Sequence, residues 1–218
     1  MNLFPIDTIV AILKRESEDW NVPVVTLIAL QQKDPFKVLL STIISLRTKD
    51  EITIKASRRL FELLSRPEDI LNVTTSQIEE AIYPAGFYRQ KAIRIKKICF
   101  RLIEEFSSQV PQEIETLLTF PGIGRKTANL ILAEGYSIPA ICVDTHVHRI
   151  SNRLGYIKTR TPQETEEVLR GTLPKKYWIQ YNTLLVAFGQ KICRPVSPWC
   201  SICPVNRYCQ KVGVTTSR

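Results

Sequence analysis

Four cysteines stand in the arrangement C-x6-C-x2-C-x5-C, at Cys193, Cys200, Cys203 and Cys209, within the stretch CRPVSPWCSICPVNRYC. Four soft thiolates so close along a chain suit a tetrahedral metal or a 4Fe-4S cluster. Structural zinc sites usually pair two C-x2-C knuckles, and only one is present here. Thiol chemistry alone therefore leaves zinc and iron–sulfur both open. The remaining cysteines, Cys99 in KKICFRL and Cys142 in PAICVDT, sit in apolar settings and read as buried free thiols.

A second chemical stretch is FPGIGRKTAN, residues 120–129. Its glycines precede Arg125 and Lys126, which open a helical pattern, so a lysine is placed at the positive end of a helix dipole where an anion is the favoured neighbour. A nucleotide P-loop would account for that, but it needs four residues between its glycines and then Gly-Lys-Ser/Thr. Gly122 and Gly124 are too close, and Arg125 intervenes. Further along, Asp144 in PAICVDTHVHRISNRLG reads as a helix N-cap, followed by the apolar face Val147, Ile150 and Leu154 and a terminating Gly155. His146 and His148 are two apart and do not face each other on a helix, which argues against a shared metal.

The frame that must hold these groups is a chain of 218 residues with six cysteines and a net charge of +9. That length permits one domain or two small lobes. The basic excess points to a polyanionic partner, because Lys and Arg near phosphates release condensed counterions. The first twenty residues lack a basic segment leading into a long apolar run, and no apolar stretch approaches a membrane span. The expectation is a soluble intracellular protein with no membrane partner, whose cysteines serve as thiols or ligands in a reducing compartment.

Helical periodicity dominates. In EITIKASRRLFELLS the apolar residues Ile54, Leu60, Phe61 and Leu64 predict one buried face; in YRQKAIRIKKICFRLIEEF the stripe is Ile95, Ile98, Leu102 and Phe106. Thr161, Pro162 and Glu164 form a capping box with proline at the first helical position, and Ser76 with Glu79 repeats the box pattern. Asn-Gly and Asp-Gly hairpin signals are absent. The fold class predicted is all-α.

LTFPGIGRKTANLIL, VDTHVHR and the four-cysteine spacing, in that order, resemble the endonuclease III family of helix-hairpin-helix DNA glycosylases and AP lyases, over the span from PFKVLLSTIISLRTKD to Cys209. The resemblance implies a 4Fe-4S cluster held by Cys193, Cys200, Cys203 and Cys209. It implies two helical lobes, with a central bundle at 28–138 that includes the hairpin, and a second lobe of 1–27 with 139–218 that carries the cluster loop. The active-site cleft would lie between the lobes. The partner would be double-stranded DNA containing damaged bases or abasic sites, met by a monomer in the cytoplasm, nucleoid-associated in a prokaryote.

The same resemblance assigns roles. The turn Pro121, Gly122, Ile123 and Gly124 would bring backbone amides to a DNA phosphate, supplying the anion at the helix start. Lys126 would be the nucleophile at C1′, as a neutral amine, and Asp144 would accept or relay its proton, for removal of oxidised pyrimidines and β-elimination. Arg47 and Phe87 occupy the places where relatives carry a glutamine and a leucine that fill the gap left by a flipped base. Both could stack on bases; the plainer alternative makes Phe87 core and Arg47 a phosphate contact. Arg194, Arg125, Arg149 and Lys91 are expected to share the backbone contacts. An adenine glycosylase is disfavoured by Thr42, where those enzymes carry a glutamate. A mismatch-specific G·T or G·U glycosylase and a noncatalytic Fe-S DNA-binding protein are the alternatives; the second would need neither Lys126 nor Asp144.

Overall fold

In a computed structural model the described residues are 4–20 and 22–218, and among them there is no β-strand. Eleven α-helices are described: α1 (Ile6–Glu16), α2 (Val24–Gln32), α3 (Pro35–Ser45), α4 (Asp50–Leu63), α5 (Thr75–Ile82), α6 (Tyr88–Phe106), α7 (Ile114–Leu118), α8 (Arg125–Leu130), α9 (Thr145–Leu154), α10 (Pro162–Thr172) and α11 (Trp178–Lys191). Among the described residues no helix is long and apolar enough to cross a membrane. The chain divides into two compact units, Met1–Pro23 with Pro139–Arg218, and Val24–Ile138.

The unit Val24–Ile138 is built around α3, where Phe36, Val38, Leu39, Leu40, Ile43 and Ile44 are all buried. A helix buried on most sides must satisfy its polar residues locally. Ser41 and Thr42 do so by donating to the Val38 carbonyl at 2.9 and 2.7 Å. Asp34 starts the helix by accepting from the Phe36 amide at 2.9 Å, with Pro35 at the first position.

Of the predicted stripe of α4, Leu60 and Leu64 are fully buried, but Ile54 and Phe61 are only half-buried, and Thr53, Ala56 and Ser57 are buried in their place. Small residues let α4 approach its neighbours closely, so packing selects that face over the one carrying the largest side chains. The cap of α5 also lies two residues before the predicted Ser76–Glu79 box. Thr74 accepts from the Gln77 amide at 3.3 Å, and Gln77 accepts from the Thr74 amide at 2.8 Å. Ile95, Ile98 and Leu102 of α6 are buried as the stripe predicts, and Phe106 is half-buried.

The other unit packs α1, α9, α10 and α11 around Ile9, Leu13, Val147, Ile150, Leu169 and Phe188. Fully buried Tyr181 shares a 3.0 Å hydrogen bond with Ser151, and burial pushes its phenol well above the usual range. Trp20 stacks on Phe188 with centroids 5.7 Å apart. The predicted cap at Thr161 forms: its hydroxyl accepts from the Glu164 amide at 3.1 Å, and the Glu164 carboxylate accepts from the Arg160 amide at 2.7 Å.

Candidate nucleic-acid interface and cysteine centre

The Pro121–Gly124 turn joins α7 to α8. Gly122 has φ +81°, a conformation that suits a residue without Cβ, and a Cβ there would press on the Arg94 side chain at about 3 Å. Gly124 is the N-cap of α8 at φ −99°, an ordinary value, with open space where a Cβ would stand. The turn is fastened from below. Buried Phe120 and Ile123 point into the core, the Ile123 amide donates to the Phe120 carbonyl at 3.2 Å, and Arg101 donates to the Thr119 carbonyl at 2.9 Å while its guanidinium covers the Phe120 ring at 4.5 Å. Arg125 and Lys126, in the first turn of α8, are exposed. Ile123 thus belongs to the support of the turn, and the exposed surface consists of the two glycines, Arg125 and Lys126.

Arg47 and Phe87 are brought together within the same unit. Each has a left-handed backbone, φ +54° and +57°, and the Arg47 guanidinium lies 5.4 Å from the Phe87 ring. Phe87 is 55% exposed, which removes the reading that it is core. Lys91 departs from expectation. It is 3% exposed, and its ammonium donates to the Ile44 and Leu46 carbonyls at 2.7 and 2.6 Å and to the Thr48 hydroxyl at 2.8 Å, so it is no surface phosphate contact. Burial first, and repulsion from Arg94 second, push it down to about 8. The signal in the sequence for the structural role of Lys91 is that it interrupts the apolar face carrying Ala92, Ile95 and Ile98.

In the other unit Asp144 caps α9: one carboxylate oxygen accepts from the amides of His146 and Val147 at 2.8 and 2.9 Å. His146 and His148 face different partners, Arg149 at 3.1 Å and Thr165 at 2.7 Å, and form no common metal site. One turn and two turns beyond the cap, Arg149 and Arg153 reach the cysteine loop. Arg149 donates to the Cys193 carbonyl at 2.9 Å; burial lowers its guanidinium's ordinary value. Arg153 donates to the carbonyls of Arg194 and Pro195 at 2.7 and 2.6 Å and approaches the Cys193 sulfur at 3.6 Å. Arg194 itself is exposed.

Cys193, Cys200, Cys203 and Cys209 line one small cavity with Trp199 and Val205. Among the described residues, no three His, Cys, Asp or Glu side chains are grouped so as to hold a single metal ion. The donor set nevertheless fits a soft metal group: four thiols share one cavity, and the Lys211 amide donates to the Cys209 sulfur at 3.3 Å. Burial pushes the Cys203 thiol up to about 11. Cys99 and Cys142 are buried, the Cys99 thiol pushed up to about 12 by burial first and by Asp69 second.

The family model described as "HhH-GPD superfamily base excision DNA repair protein" matches residues 40–175. The chain is 48% identical over 180 residues to Endonuclease III of Thermotoga maritima, covering 83% of this chain and 84% of that protein. The chain belongs to the endonuclease III family of the HhH-GPD superfamily. Family membership makes it a base-excision DNA glycosylase with AP lyase activity. Its fold matches a non-covalent endonuclease III–DNA complex with a TM-score of 0.84 at 32% identity, over 97% of this chain and 96% of that one. A trapped endonuclease III–DNA covalent intermediate matches with a TM-score of 0.80 at 32% identity, over 94% and 95% of the two chains.

Proposed function

We propose that this enzyme removes oxidised pyrimidines from double-stranded DNA through an imine formed by Lys126, then cleaves the strand by β-elimination. The observation that carries the reading is the turn itself: Gly122 in a left-handed conformation, Gly124 with open space above it, and an exposed Lys126 in the first turn of α8. A DNA phosphate near the Gly122 and Gly124 amides sets the lesion's sugar beside that amine. The neutral Nζ forms a bond to C1′ as the N-glycosidic bond breaks and the base departs with its electron pair, taking up a proton. Asp144 receives the proton released by nitrogen. Opening of the sugar at O4′ yields the C1′ iminium; loss of a C2′ proton then breaks the C3′–O bond, leaving a 5′-phosphate on the downstream strand.

Arg47 and Phe87 fill the vacated stack, while Arg125 and Arg194 contact the backbone and Arg149 holds the cysteine loop through the Cys193 carbonyl. Cys193, Cys200, Cys203 and Cys209 would hold a 4Fe-4S cluster, which cross-links the loop when bound. The DNA substrate accords with a cytoplasmic, chromosome-associated enzyme.

The test is borohydride reduction during turnover of a duplex with one thymine glycol. A covalent protein–DNA adduct, absent in Lys126→Gln, is expected together with a nicked strand in the unreduced control. An adduct that persists in Lys126→Gln overturns the assignment of the nucleophile; no adduct with wild type, on this lesion or on an abasic site, overturns imine chemistry.

A further inference from the structure

Beneath the exposed pair Arg47 and Phe87 lies a buried cation that the reaction itself does not use. Lys91, in the first turn of α6, is 3% exposed, and among the described residues no carboxylate forms a salt bridge with it. Its three ammonium hydrogens have three acceptors at 2.6–2.8 Å: the Ile44 and Leu46 carbonyls and the Thr48 hydroxyl. The Ile44 carbonyl belongs to the last turn of α3, and that of Leu46 to its C-cap, where a helix leaves carbonyls without partners and its dipole favours a cation. The charge is therefore compensated by the end of a helix and by hydrogen bonds rather than by an acid.

The groups Lys91 grips bracket Arg47 on both sides. From the other loop, the Gly86 amide donates to the same Thr48 hydroxyl at 3.0 Å, and a Cβ on Gly86 would overlap the Arg47 carbonyl oxygen. Phe87 follows directly. Both tips have left-handed backbones, which non-glycine residues hold only where their surroundings over-determine them. An apolar side chain at position 91 would fill the same volume but could not tie the end of α3 to the start of α6.

We propose that Lys91 is a positioning residue for base extrusion: it locks the 44–48 loop against the 86–87 turn so that Arg47 and Phe87 are presented to the duplex as one preformed wedge. The inference rests on the reading that these two residues enter the duplex. Base flipping must break pairing and stacking before chemistry, so a preformed wedge matters for a paired lesion and hardly at all for one already unpaired.

Single-turnover cleavage is compared on thymine glycol within a duplex and on the same lesion in a short unpaired bubble. Lys91→Met is expected to slow the paired substrate by at least about tenfold and the bubble by less than about twofold, since lost hydrogen bonds act on the extrusion step alone. Thr48→Val, which removes the acceptor shared with Gly86, should move the ratio in the same direction by about threefold. Added to Arg47→Ala/Phe87→Ala, Lys91→Met should contribute little more, because all act through one wedge. Equal loss on both substrates, or no loss on either, overturns the proposal. If Arg47→Ala/Phe87→Ala leaves the ratio unchanged, the wedge reading fails and the inference with it. If that pair shifts the ratio and Lys91→Met does not, only the positioning role fails. Should Lys91→Met not fold, an unchanged ratio in Thr48→Val is the overturning result.

Discussion

The capping duty of Asp144 and the catalytic duty proposed for it can be separated. One oxygen accepts from the His146 and Val147 amides, so the residue caps α9 whatever its part in catalysis. Asparagine is an equally good cap but a poor proton acceptor. Asp144→Asn should therefore lower imine formation by about a hundredfold or more while shifting the melting temperature by no more than about 2 °C. Borohydride trapping rates beside a thermal melt decide this, and a large loss of stability would mean that the carboxylate's charge serves the fold. The cysteines divide just as sharply. Cys99 is fully buried with its thiol pushed up to about 12, so at pH 8 almost no thiolate forms in the folded protein. Mass spectrometry after iodoacetamide treatment should find Cys99 unmodified in the native enzyme and alkylated after denaturation.

At the level of elements, α9 ties its own cap to the cysteine loop, with Asp144 at its start and Arg149 and Arg153 reaching that loop further along. Arg153 donates to two loop carbonyls, and its own carbonyl accepts from the Cys209 thiol at 3.4 Å and the Val212 amide at 3.1 Å. Removing the guanidinium leaves those loop carbonyls without their donor and frees the chain around Cys193. Arg153→Ala should be purified with less bound iron and weaker visible absorption than wild type, and Arg153→Lys should recover only part, because a single ammonium cannot reproduce the planar fork. Unchanged iron content would show that the loop is held without Arg153. The local features here were readable from sequence: the cysteines are close neighbours along the chain, and the caps at Asp144 and Thr161 are encoded within three residues. Where several local solutions compete, the choice belongs to packing. Thr74–Gln77 displaces Ser76–Glu79 at the start of α5, and small residues displace Ile54 and Phe61 on the buried face of α4. The role of Lys91 depends on carbonyls more than forty residues earlier in the chain, and spacing along α6 carries no trace of them.

For the molecule as a whole, the net charge of +9 governs how DNA is first met. Much of that charge is surface charge that contributes through counterion release, not through defined contacts, and its effect must fall as salt rises. The basic residues do not contribute equally. Arg194 and Arg125 are exposed, whereas Arg149 is half-buried and directs a guanidinium hydrogen bond to the Cys193 carbonyl. A residue whose charge works at a phosphate changes the slope of log K against log salt by about one when removed, whereas one that organises its own unit changes affinity through the fold. Binding of an abasic-site duplex, titrated across salt concentrations, should accordingly lose about one unit of slope in Arg194→Ala with the iron content intact. Arg149→Ala should change the slope less and lower iron retention, because its partner is the loop. Equal slope changes in the two variants, with iron unaffected in both, would instead place Arg149 at the DNA backbone and leave the attachment of the cysteine loop to Arg153.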